Sequence, residues 1–145
     1  MIFNLSSVVS VLAVFATVPN ATGQFLPACF GGVRANNVVV EFRLQDASGA
    51  DIGGLPSRIR TRNTGVELNI EATACDASDG NPVASVLFEL NGSTTCDNVK
   101  DYTLFAQGDL VPFERGSYTL TATPYDGADC QGVAGMSLSQ TFRVQ

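Results

Sequence analysis

The feature that most limits how this chain can fold is an apolar side chain at every second position, repeated in separate short stretches. Val38, Val40, Phe42 and Leu44 alternate with Val39, Glu41, Arg43 and Gln45. Val66, Leu68, Ile70 and Ala72 alternate with Glu67, Asn69, Glu71 and Thr73, and Cys75 ends that run. Val86, Phe88 and Leu90 stand against Ser85, Leu87 and Glu89, while Tyr118, Leu120 and Ala122 stand against Thr119, Thr121 and Thr123. Met136, Leu138, Phe142 and Val144 alternate with Ser137, Ser139, Thr141 and Arg143. Successive side chains of a strand point to opposite faces, so this period marks strands with one buried face. Gln140 interrupts the last inner row, which places it at a bulge or near a sheet edge.

Between these runs lie turn-forming residues. Segment 46–56 is dense in Gly, Asp and Ser and reads as a loop, as does 76–82. Asn91-Gly92 follows Leu90 at once, and this pair accepts the positive φ that a type I′ hairpin turn demands of both central residues. Beyond residue 23 no window sustains a helical apolar period. The expectation is therefore an all-β fold, an immunoglobulin-like antiparallel β-sandwich.

Residues 1–23 carry no charged side chain, and their apolar stretch is too short to span a bilayer core of about 30 Å. They read as a signal peptide cut after Ala21-Thr22-Gly23, with a cut after Ala16 as the competing choice. No Lys or Arg precedes the apolar core, a departure from the usual pattern. The remainder divides into a lead over 24–37 and one domain over 38–145. With 8 basic and 14 acidic side chains, the formal charge is −6. Such a chain repels phosphate backbones, so nucleic acid is an unexpected partner, and no membrane span is expected.

Once the leader is gone, Cys29, Cys75, Cys96 and Cys130 remain. In an oxidising compartment an even number reads as two disulfides. A zinc site would need four distant thiolates, because histidine is absent and no two cysteines are spaced C-x-x-C. Of three possible connectivities, Cys75–Cys130 with Cys29–Cys96 is preferred, because Cys75 and Cys130 border loops that share one end of such a sandwich.

Segment 85–92, then 98–105, then Gly116-Ser117-Tyr118-Thr119-Leu120-Thr121-Ala122-Thr123-Pro124-Tyr125, and lastly 132–144 resemble an Ig-like module that recurs in large secreted multi-domain proteins of bacteria and some protists. The resemblance covers most of 38–144. It implies extracellular adhesion, spacing or accessory binding, and no catalytic residues. The tract at 116–122 is similar to a tyrosine corner, in which Tyr118 bonds upstream backbone. The tryptophan of antibody domains is missing, and Ile70 or Ala72 and Leu120 stand where their inter-sheet cysteines would be.

Four candidate sites follow from residue chemistry. Without histidine, a Ser-His-Asp or Cys-His pair is impossible, Lys100 has no Ser-x-x-Lys context, and no acidic pair stands out for glycoside hydrolysis, so no enzyme is expected. Asp76, Asp79, Asp126 and Asp129 would bring hard oxygen ligands for calcium to one end of the sandwich, although Asp equally serves turns there; no other cofactor is expected. Arg58, Arg60 and Arg62 in an extended chain project to one side about 6.6 Å apart, matching sulfates or carboxylates of a polysaccharide, or else guarding an edge strand. Asn91-Gly92-Ser93 is a glycosylation acceptor, whereas Asn20-Ala21-Thr22 leaves with the leader. Tyr125 borders a loop and is accessible to a sugar ring, while Tyr102 is expected in the core. The leading expectation is a secreted, non-catalytic module for adhesion, matrix or cell-wall interaction with an extracellular glycan or protein. A small carbohydrate-binding protein and a secreted effector or inhibitor gripping a partner protein are the alternatives.

Overall fold

The computed structural model describes residues 37–61, 65–75 and 83–145. The leader and lead, Cys29, Arg62, Asp76 and Asp79 lie outside the described residues. Among the described residues are nine strands: β1 (Val38–Gln45), β2 (Asp51–Gly54), β3 (Arg58–Ile59), β4 (Gly65–Cys75), β5 (Ser85–Leu90), β6 (Ser93–Asp97), β7 (Val111–Glu114), β8 (Gly116–Tyr125) and β9 (Leu138–Val144). They form a four-stranded sheet in the order β2-β1-β4-β7 and a five-stranded sheet in the order β3-β9-β8-β5-β6. All pairings are antiparallel except β3 with β9.

Each sheet turns an apolar face to the other. Phe42, Ile70, Ala72 and Phe113 from one join Val86, Phe88, Leu120, Ala122, Phe142 and Val144 from the other in one buried cluster. The period of two in β4, β5, β8 and β9 is thus the imprint of a core shared by two layers. Tyr102 and Leu104 are buried in that core from an irregular segment tied to β4, where Ala72 N donates to Tyr102 O and Leu104 N to Ile70 O. The Tyr102 hydroxyl donates to the Val83 carbonyl.

β1 departs from simple alternation. A register shift between Val39 and Glu41 inserts one extra residue opposite β4. Val39 and Phe42, three positions apart, therefore both face the core, where strict alternation placed Val38 and Val40. Gln140 pairs with Leu120 in unbroken register, so it is not at a bulge, and β3 pairs with β9 only at Arg143 and Val144, so at Gln140 the strand has β8 alone beside it. Its amide is accommodated on the inner side because Nε2 donates to Leu55 O at 2.6 Å.

The hairpin at Asn91-Gly92 forms as its sequence requires, with φ of 49° and 89° and Leu90 paired with Ser93. Asn91 Oδ1 also accepts Thr119 N at 2.8 Å, fastening the turn to β8. The loop expected over 46–56 contains β2, a short strand that closes back on β1. Tyr118 Oη donates to the Glu114 carbonyl at 3.0 Å, four residues upstream, and its ring stacks on Phe142 at 5.3 Å.

The disulfide is Cys96–Cys130, with Cα atoms 6.0 Å apart, and not Cys75–Cys130. β6 and β8 both flank β5, so Cys96 and the loop after β8 lie on one sheet, whereas Cys75 ends β4 in the other, opposite Val38. Sharing an end of the molecule was too loose a criterion. No described cysteine is free.

Candidate functional site

The loop after β8 is built around polar side chains. Ser85 Oγ donates to Gly127 O at 2.6 Å and accepts Cys130 N at 3.0 Å. Asp126 Oδ1 accepts Val133 N at 2.7 Å. Asp129 Oδ1 accepts Asn98 Nδ2, while Asn98 Oδ1 accepts Asp129 N, at 2.8 and 2.6 Å. Of the four carboxylates considered for calcium, the two described thus cap backbone or bind an amide. Asp76 and Asp79, their expected co-ligands, lie outside the described residues. Among the described residues no group of three or more Cys, Asp or Glu converges.

A shallow hollow of about 310 Å³ opens between β6 and the following loop, lined by Thr95, Asp97, Val99, Lys100, Thr103 and Phe105. Asp97 is engaged on both oxygens, by Val99 N at 2.9 Å and Thr103 N at 2.8 Å, so it shapes the loop. Below the loop, Asn69 is fully buried. Its Oδ1 accepts Ile70 N and Phe105 N, and its Nδ2 donates to the Phe105 and Ala106 carbonyls.

The most regular surface is the outward face of the five-stranded sheet. β8 presents Ser117, Thr119, Thr121, Thr123 and Tyr125, and the neighbouring chain presents Arg143, Thr141, Ser139 and Ser137. Three hydroxyl pairs bridge the strands: Thr119–Thr141 at 3.1 Å, Thr121–Ser139 at 2.9 Å and Thr123–Ser137 at 2.9 Å. Arg58 in the edge strand β3 and Arg60 just after it are both exposed, with Ile59 between them in the core. Arg58 is the direct Cα partner of Arg143.

Arg58 and Arg60 of the arginine row and Tyr125, found separately in the sequence, therefore occupy opposite ends of one face, while Arg62 lies outside the described residues. Tyr125 is half-buried rather than open. Arg143 escaped sequence reasoning. Its outward position follows from alternation with Phe142 and Val144, but its place beside Arg58 depends on a parallel pairing across 85 positions, which alternation does not encode.

Asn91 is exposed, as an acceptor asparagine must be. Among the described residues no helix is long and apolar enough to cross a membrane. No protein-family model, curated protein or solved structure matches the chain.

Proposed function

We propose that this protein is a secreted, non-catalytic binding module of immunoglobulin-like type that works in adhesion, matrix or wall contact. The Cys96–Cys130 bond carries the reading, because such bonds persist in oxidising compartments outside the cytosol. The strand order supports the fold assignment. β1, β4 and β7 share one sheet and β5, β8 and β9 the other, as the first, second and fifth strands and the third, sixth and seventh do in immunoglobulin domains. The Tyr118 bond to Glu114 supports it as well.

A second bridge, Cys29–Cys75, belongs to this reading. Cys75 is disulfide-bonded and lies opposite Val38, nine positions after Cys29 in the sequence. Expression with the leader in a secreting eukaryotic host tests the whole. The medium should contain a chain beginning at Gln24, glycosylated at Asn91, with both bridges recovered by non-reducing peptide mapping. Retention of a fully reduced chain inside the cell would sink the proposal.

A second reading is favoured by β6, the edge of its sheet, whose residues are exposed from Ser93 to Cys96. An effector or inhibitor would add a partner's strand there. Amide exchange slowed selectively over 93–97 by a bound protein would support it.

A further inference from the structure

We propose that the outward face of the five-stranded sheet, from Arg58, Arg60 and Arg143 along the hydroxyl rungs of β8 and β9 to Tyr125, binds a sulfated polysaccharide. The proposal rests on the extracellular reading above and names the ligand class.

Charge placement is the first argument. Six basic side chains are described, and Arg43 is held by Glu41 and Asp51. Lys100 sits apart, in the loop after β6. The other four, Arg58, Arg60, Arg115 and Arg143, gather at one corner, since Arg115 immediately precedes Gly116, the Cα partner of Val144. None of the four makes an ion pair with a described residue, although acidic side chains outnumber basic ones 14 to 8. Arg58 and Arg143 are exposed Cα partners on adjacent parallel strands, so their like charges repel. Edge protection accounts for Arg58 on β3 and Arg60 just beyond it. It does not account for Arg143, because β9 has a strand on each side.

Chemistry narrows the occupant. A planar carboxylate is filled by one guanidinium fork, whereas a sulfate presents three oxygens and can engage two forks side by side. Each hydroxyl pair uses one O–H between its members and leaves the second, with its remaining lone pairs, turned to solvent. Such groups match sugar hydroxyls. The row from Ser117 to Tyr125 extends about 27 Å, enough for several sugar units. A protein partner would look for aromatic or aliphatic anchors, and the exposed large apolar residues, Ile52, Val99, Val133 and Met136, are not on these rungs. Glu89, exposed opposite Thr121 on the β5 flank, repels an anion from that side and directs it over β9.

The test uses the secreted full chain and immobilised heparin as the sulfated polysaccharide, at 0.15 M NaCl. Heparin should bind, and Arg58→Ser with Arg143→Ser should weaken binding at least tenfold, with Arg143→Ser alone accounting for part of the loss. Melting temperatures should stay level or rise, since the arginines repel each other. Lys100→Ser should change binding less than twofold. Chemically desulfated heparin and poly-L-glutamate should bind at least tenfold more weakly than heparin. The proposal fails if heparin is not retained, if Lys100→Ser costs as much as the arginine pair, or if poly-L-glutamate binds equally, which would indicate an acidic protein partner. A chain that is secreted and disulfide-bonded yet ignores heparin overturns this face alone. A reduced, cell-retained chain overturns the wider reading.

Discussion

Gly135 shows how little room one residue can have. A Cβ added there would stand 2.0 Å from Asn37 O, the carbonyl that accepts Met136 N at 2.8 Å as the chain enters β1. Gly135→Ala must push the two backbones apart, and overpacking of this kind costs about 1–3 kcal/mol, measurable as a lower urea midpoint. Glu71 illustrates the opposite case, a native group that works against stability. Burial pushes its carboxyl above the usual range, with Asp101 and Asp51 adding to the effect against the hydrogen bond from Gln45 and the charge of Arg43. Folded Glu71 holds its proton to higher pH than the unfolded chain does, so stability falls as pH rises from its ordinary value through its raised one. Glu71→Gln should therefore raise the melting temperature at pH 7, and the gain should vanish in acid below the ordinary carboxyl range. Asp51 has the opposite sign. Its hydrogen bond from Arg43 lowers its pKa, and its contribution is present at neutral pH and lost on acidification.

Among the elements, the sequence is legible where a strand has one dry face and opaque where it has none. β4, β5, β8 and β9 announce themselves because every second residue must enter the shared core. β6 is exposed from Ser93 to Cys96, so no selection for alternation acts on it, and β2 and β3 are too short to display a period. The Val40 bulge in β1 hides in the sequence because valines occupy 38, 39 and 40 and any phase fits them. Half of the proposed binding face was visible as the Arg58 and Arg60 spacing. The other half, Arg143, waits on a register between distant strands. Disulfide pairing is opaque for the same reason. The Cys96–Cys130 bridge ties edge strand β6 to the loop after β8 over a separation of 34 residues. Replacing both cysteines by serine should cost about 3–4 kcal/mol in the chain-entropy model, read as a fall in the guanidinium midpoint. Amide protection should drop first over β6 and 126–133, where the bridge is the covalent tie.

For the molecule as a whole, what matters is that one apolar cluster of the described residues joins both sheets. Leu120 and Ala122 on β8 and Ile70 and Ala72 on β4 are all fully buried in it, so neither sheet keeps a dry face if the other leaves. A domain with one core of this kind unfolds as a unit. The chain contains three tyrosines and no tryptophan, and Tyr102 and Tyr118 contact different parts of the core. Tyrosine fluorescence therefore reports packing, while far-UV circular dichroism reports the strands. Their urea transitions should coincide with the disulfides intact. Leu120→Ala, which empties a site with no exposed surface, should move both by the same 2–5 kcal/mol, because a cavity in a shared core weakens the two layers together. Separate transitions in this variant, with one probe moving and the other fixed, would mean that the sheets are held by distinct cores. The outward face would then lose the rigid support on which a spaced row of guanidinium and hydroxyl groups depends.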